Sequence, residues 1–136
     1  MTEFFADTYA ILAYLQGDPA YVKRFRGNRF RTGTWNLYEA YAAQRARGVP
    51  PTEAMENLAP FEAAMVEADV ETLREAAEAR LRLRAEGRRC SHIDAAGYVL
   101  AQRQGLPFLT GDGAFEGVEG VDFLPEAGAG AARRRR

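Results

Sequence analysis

The sequence predicts an α/β fold, a three-layer α/β/α arrangement around a short, mostly parallel central sheet. Three observations lead there. Short apolar runs (Phe4-Phe5-Ala6, Leu106–Thr110, Val121–Leu124) alternate with longer stretches of helical spacing. No hairpin signal joins one apolar run to the next, so neighbouring strands are expected to run parallel, with helices covering both faces. Acidic residues follow these runs directly, where chains in such sheets leave a strand for a helix and where ligands bind.

The elements follow in order. Glu3–Ala6 is a strand ended by Asp7, and Thr8–Gln16 has helical spacing through Ile11, Leu12 and Leu15, with Asp7 or Thr8 as the N-cap. Gly17-Asp18-Pro19 breaks that helix, and Pro19 opens a second one over Ala20–Phe25. Asn28–Gly33 alternates as a short strand with Phe30 inward; Thr34 is expected to cap a helix running to about Arg47. Gly48-Val49-Pro50-Pro51 ends it, Thr52 begins another helix, and Ala63–Val66 is a brief strand. Asp69 caps a long amphipathic helix from about Val70 to Glu86, and Ser91 caps the next, Ile93 to Gln104. Leu106–Thr110 is a strand followed by the turn Gly111-Asp112-Gly113, and Val121–Leu124 is the last strand.

At 136 residues the chain has the size of one domain, expected over residues 1–126, with an Arg-rich, disordered tail over 127–136. No apolar run approaches the ~20 residues that span a bilayer. Acids at Glu3 and Asp7 and the lack of a basic leader do not read as a secretion signal, so a cytoplasmic location is expected. The lone Cys90 excludes an internal disulfide and a cysteine-based metal site. The formal charge of −1 is uneven: without the four arginines Arg133–Arg136, 14 basic groups face 19 acidic ones, a net of −5. Such a body is not a general nucleic-acid sponge.

Four acids stand out, each with a plain alternative. Asp7 can cap the first helix, Asp94 can complete a capping box with Ser91, and Asp112 can be a turn residue. Glu39 is the only charge between Arg31 and Arg45 in an otherwise apolar or neutral helix, where a carboxylate is costly unless paired or metal-bound. Gathered carboxylates repel one another and raise each other's pKa, a situation best relieved by a divalent cation. Hard oxygen donors select Mg²⁺, or Mn²⁺ as a substitute, whereas one histidine (His92) and one cysteine make zinc a poor fit. Neither phosphate-binding glycine-loop motif is present, and no motif supports a Ser-His-Asp or Cys-His machine. Acids with Mg²⁺ point to phosphoryl chemistry by metal-activated water.

These residues carry a resemblance. Phe5-Ala6-Asp7-Thr8, Leu37-Tyr38-Glu39, Ile93-Asp94-Ala95-Ala96 and Leu109-Thr110-Gly111-Asp112-Gly113-Ala114-Phe115 resemble, in that order, the four motifs of PIN-domain nucleases. The likeness is greatest to the toxins of VapBC-type toxin–antitoxin pairs, spans about residues 3 to 124, and is most specific at the closing Thr-x-Asp-x-x-Phe. It implies a PIN-like fold and a Mg²⁺- or Mn²⁺-dependent endoribonuclease, often dimeric, inhibited by a small antitoxin. It assigns Asp7, Glu39, Asp94 and Asp112 to the catalytic, metal-holding site, with Thr110 and Thr8 supporting them. One departure is Tyr9, where the family often has a small hydroxyl residue.

A single-stranded RNA is the expected substrate, since a compact site must splay the backbone. Arg24, Arg26, Arg29 and Arg31, or Arg88 and Arg89, are candidates for phosphate contact, against the alternative of a solvated face. On the long helix, Leu73, Ala76, Ala77, Arg80, Leu81 and Arg84 recur at helical steps, as a face that packs on the sheet or pairs two subunits. A non-catalytic scaffold or RNA-binding module of the same fold is the alternative function, although none of the four acids is missing. A phosphoacceptor domain would need a lysine late in the chain, and the only lysine is Lys23.

Overall fold

The computed structural model describes residues 2–125; the predicted tail over 127–136 lies outside them. Along the chain come β1 (Glu3–Ala6), α1 (Thr8–Leu15), α2 (Pro19–Phe25), β2 (Arg29–Gly33), α3 (Thr34–Ala46) and α4 (Pro51–Glu62). Then follow β3 (Met65–Val66), α5 (Val70–Ala85), α6 (His92–Arg103), β4 (Phe108–Thr110), a 3₁₀ turn at Gly113–Phe115, and β5 (Val121–Phe123).

The strands form one sheet in the order β3-β2-β1-β4-β5, and every pairing is parallel. β1 is central because Phe4, Phe5 and Ala6 are all apolar, so both of its faces can be buried. Phe4 and Ala6 point into a core with Ala10 and Ile11 of α1, Tyr21 and Phe25 of α2, Ala40 of α3, and Leu58 and Phe61 of α4. Phe5 points the other way, into a core with Phe108, Phe115, the Ala95–Ala101 face of α6, and Ala76, Ala79 and Leu83 of α5. The predicted inward placement of Phe30 holds: its ring meets Phe25 at 5.1 Å and Phe61 at 5.2 Å.

Local signals set most helix starts. The Asp18 carboxylate accepts from Ala20 N at 3.0 Å, with Pro19 at the first helical position. The Asp69 carboxylate accepts from Thr72 N at 2.7 Å and opens α5. Two expectations need correction. Thr34 does not cap α3; Gly33 holds the cap position and Thr34 is already helical. A side chain at 33 would come within 2.9 Å of Asn36 Oδ1, so close packing keeps the cap without one.

The second correction is the buried face of α5. It is Thr72, Ala76, Ala79 and Leu83, whereas Leu73, Ala77, Leu81 and Arg84 face solvent. Of the predicted stripe, only Ala76 is buried and Arg80 half-buried. Thr72 and Ala79 are smaller and more polar than Leu73 and Leu81, but α5 packs on the alanine-rich α6, and small residues permit that approach. No helix among the described residues is long and apolar enough to cross a membrane.

Candidate active site

The site is built where β1, β2 and β4 end and their helices begin. Asp7 is the first residue past β1, and its backbone N–H still donates to Leu109 O at 3.1 Å, extending the ladder to β4. It occupies the cap position of α1, yet its carboxylate makes no cap hydrogen bond. Instead it points inward at 1% exposure, accepting from the Thr110 hydroxyl at 2.7 Å and, at a longer 3.4 Å, from the Asn36 amide. Thr110, itself buried, accepts from Asp112 N at 3.1 Å, so one hydroxyl links the strand end to the acid.

Glu39 lies on the second turn of α3, half-buried, and accepts the Thr8 hydroxyl at 2.7 Å. Thr8 in turn accepts from Asn36 Nδ2 at 3.1 Å. The Asn36 amide therefore stands between Asp7 and Thr8 and connects the two halves of the site. Sequence reasoning missed Asn36. The available signal was its i,i+3 spacing to Glu39, which puts a fixed-geometry amide on the same helix side as the acid. Gly33 and Gly97 make room for it: a Cβ on Gly97 would sit 3.3 Å from Asn36 Oδ1 and 3.2 Å from the Phe108 ring.

Asp94 is half-buried in the first turn of α6 and does form the capping box: Ser91 Oγ accepts from Asp94 N, and Asp94 Oδ2 accepts from Ser91 N, both at 3.0 Å. The plain reading of Asp94 as a capping residue holds, and its charge also acts on Asp7 and Glu39. Asp112 is similar. Its Oδ1 accepts from Ala114 N at 2.9 Å and starts the 3₁₀ turn.

Electrostatics ties the four together. Burial, first, and then the Asp94 charge push the Asp7 carboxyl well above the usual carboxylate range; Thr110 opposes this, and Asp112 adds a smaller upward push. Glu39 is raised by burial, held back by the Thr8 hydroxyl, and raised again by Asp94. Cys90 lies beneath the cluster as a buried thiol pushed up to about 12, chiefly by burial and then by Asp94, and is chemically quiet there. No cation pairs with Asp7 among the described residues. Nor does any group of three or more His, Cys, Asp or Glu side chains among them stand ready-made as a metal cage.

Most of the predicted phosphate-binding arginines are not available to the site. Arg24 pairs with Asp122 and lies 5.3 Å over the Phe4 ring; Arg31 pairs with Glu3 at 3.6 Å. Arg29 stands opposite Glu3 at the start of β2, the far end of the sheet from Asp7, and Arg26 closes α2 just before it. Arg88 donates to the carbonyls of Ala114 and Glu116 at 2.9 and 2.8 Å, clamping the chain after Asp112. Arg89 is exposed, two residues before the Ser91 cap. Tyr9, the departure from the family pattern, lies beside Gly111 and 6.0 Å from the Tyr21 ring; a Cβ on Gly111 would also come within 2.7 Å of Leu124 O. The aromatic residue is thus matched by a glycine opposite it.

No family model and no curated protein matches the sequence. Solved structures do. A toxin–antitoxin complex from Klebsiella pneumoniae matches with a TM-score of 0.75 at 14% identity, covering 91% of this chain and 99% of that one. DNA-bound VapBC from Salmonella typhimurium matches at 0.72 and 19%, covering 92% and 98%. Mycobacterium tuberculosis VapC20, a Sarcin-Ricin loop cleaving toxin, matches at 0.71 and 20%, covering 90% and 99%. Across nearly its whole described length, the chain shares the PIN-like α/β fold of these toxin–antitoxin proteins.

Proposed function

We propose that this chain is a Mg²⁺- or Mn²⁺-dependent endoribonuclease that cleaves single-stranded RNA in the cytoplasm, and that it is the toxin of a toxin–antitoxin pair. The observation that carries this reading is Asp7, a carboxylate at 1% exposure whose side chain makes no cap bond, which pairs with no cation among the described residues, and which bears the charges of Asp94 and Asp112. Folding would not retain such a group for stability. A metal-dependent phosphodiesterase can use it to hold its cation.

The donor chemistry fits a hard cation. Every acid at the site offers only oxygen, and Mg²⁺ keeps several of its waters while taking one or two carboxylates, so it needs no three-ligand protein cage. Asp7 would hold it directly, with Asp94, Glu39 and Asp112 reached directly or through water. When bound, such an ion supplies positive charge for the phosphodiester in its transition state and makes a nearby water more acidic.

The chain's own groups do the rest. Thr110 and Asn36 hold the Asp7 oxygens in place through the bonds described above. Glu39, its carboxyl raised by its half-buried setting and held at Oε1 by Thr8, is the group suited to take a proton from water. The capping box leaves Asp94 rigid, with Oδ1 making no hydrogen bond among the described residues. The similarity to solved toxin–antitoxin complexes supports a small antitoxin protein as partner, and the solvent-facing Leu73 and Leu81 of α5 support pairing of two copies.

The test is cleavage of a single-stranded RNA with Mg²⁺ or Mn²⁺, abolished by EDTA and by Asp7→Asn, Glu39→Gln or Asp94→Asn in proteins that remain folded. Cleavage that persists in EDTA, or in all three variants, overturns the reading.

A further inference from the structure

We propose that Tyr9 is a positioning residue for Asp112: its ring backs Gly111 and so fixes the turn that carries this acid at the site. This rests on the metal-dependent reading above. Asp112 stands between Gly111 and Gly113, so neither neighbour offers a side chain to hold it. Its N–H donates to the Thr110 hydroxyl at 3.1 Å, and its Oδ1 accepts from Ala114 N at 2.9 Å. Through Thr110, which donates to Asp7 at 2.7 Å, Asp112 lies two hydrogen bonds from the buried acid. Gly111 is the joint between β4 and this turn. A Cβ there would overlap Tyr9 Cε1 and come within 2.7 Å of both Tyr9 Cζ and Leu124 O, a tighter fit than at Gly33 or Gly97. Backbone angle does not account for the glycine, since Gly111 is not among the residues of positive φ. The position is bare because a ring lies against it.

The ring is itself braced. Tyr9 is the second residue of α1, half-buried, with its centroid 6.0 Å from that of the fully buried Tyr21. The Tyr21 hydroxyl donates to Leu124 O, and Leu124 N donates to Thr110 O at 2.9 Å. Gly111 is therefore held between an aromatic ring and a carbonyl, both anchored in the fold. Close-packed groups pass a displacement on to their neighbours. Removing the ring atoms that meet Gly111 frees the joint from which Asp112 leaves. The start of α1 then serves three acids in succession: Asp7 is one of them, Thr8 donates to Glu39 at 2.7 Å, and Tyr9 backs Asp112.

The test is calorimetric titration of the full chain with Mn²⁺, without RNA, in the parent, Tyr9→Leu, Tyr9→Phe, Asp112→Asn and the double variant Tyr9→Leu/Asp112→Asn. Leucine keeps apolar bulk on α1 but has no atoms in the places of Cε1 and Cζ, whereas phenylalanine keeps both. Tyr9→Leu should weaken Mn²⁺ binding by about 10-fold, the low end of what losing an outer support costs a metal site. Tyr9→Phe should bind as the parent does. Because Tyr9 acts through Asp112, the double variant should bind no more weakly than Asp112→Asn alone. Gly111→Ala, whose Cβ displaces the ring from the other side, should also weaken Mn²⁺ binding. It replaces Tyr9→Leu if thermal melts in EDTA show that variant to be unfolded.

Unchanged Mn²⁺ affinity in Tyr9→Leu overturns the proposal and, where Tm in EDTA falls, marks the ring as core packing alone. A double variant weaker than Asp112→Asn, or a loss of affinity in Tyr9→Phe, overturns it as well. These outcomes leave the metal-dependent reading standing. A parent that binds no Mn²⁺ overturns both.

Discussion

Replacing Asp7 by Asn should stabilise the metal-free protein while destroying its activity. The carboxylate is 1% exposed and is compensated by a short hydrogen bond from Thr110 at 2.7 Å, a long one from Asn36 at 3.4 Å, and a smaller contribution from the Thr8 backbone N–H. Burying a charge with so little compensation costs several kcal/mol, of which a hydrogen bond to an ionised acceptor returns about 1.5–3 kcal/mol. Asparagine keeps the shape and can still accept from Thr110, but its amide then faces the Asn36 amide, donor against donor, at a cost of about 1 kcal/mol. The balance favours the variant by about 1–3 kcal/mol, or about 3–10 °C in Tm for a chain of this size.

The pH dependence follows from the direction of the Asp7 shift. Its folded carboxyl titrates above the unfolded value, so the stability is complete below the unfolded carboxylate pKa, about 3.9, and is lost as pH rises through the folded pKa. Asp7→Asn keeps that stability at every pH. The gap between the two proteins should therefore open as pH rises and close toward about pH 4. Thermal melts of both in EDTA across this range measure it. Added Mg²⁺ should then raise the parent's Tm and scarcely move the variant's. A variant that melts several degrees lower than the parent at neutral pH in EDTA would mark Asp7 as a structural group and refute the reasoning.

Three further outcomes are expected. Asp112→Asn should need more Mn²⁺ for half-maximal cleavage but lose less activity at saturation than Asp7→Asn, because Asp112 spends one oxygen on Ala114 and acts on Asp7 less than Asp94 does; a metal titration of both variants compares them. Asn36→Ala should lower kcat and reduce stability by about 1–3 kcal/mol in urea unfolding, since it removes the bridge between Asp7 and Thr8 from a buried position. If two copies pair through α5, Leu81→Glu should convert a light-scattering dimer into a monomer without lowering Tm by more than about 1–2 °C, as Leu81 is exposed within one copy.

The elements were legible in the sequence because their signals are local. Asp18-Pro19, Asp69 and Ser91 announce helix starts through hydrogen bonds spanning two or three residues, and each of those bonds forms. The apolar runs with long helical stretches between them required parallel strands, and all four pairings are parallel. Asp7, Glu39, Asp94 and Asp112 could be selected as candidates because each follows a strand or opens a helix, and the ends of a parallel sheet share one edge.

What each acid does was a matter for the tertiary structure. Asp7 and Asp94 have the same local choice, to cap a helix or not. Asp94 caps because Ser91 lies three residues before it; Asp7 turns inward because Thr110, 103 residues away on the adjacent strand, offers its hydroxyl. Asn36 joined the site only once Gly33 and Gly97 brought α3 and α6 close enough to wedge its amide beside Asp7. The buried face of α5 went to Thr72 and Ala79 rather than Leu73 and Leu81 because helix packing rewards fit at close range, and periodicity of hydrophobic residues carries no information on the shape of the neighbour. Likewise the arginines were visible as charges, but Asp122, Glu3 and the carbonyls of Ala114 and Glu116 decided which of them are held within the fold. Caps and periodicity act within a few residues, whereas burial, close approach and charge pairing depend on residues that only folding makes neighbours.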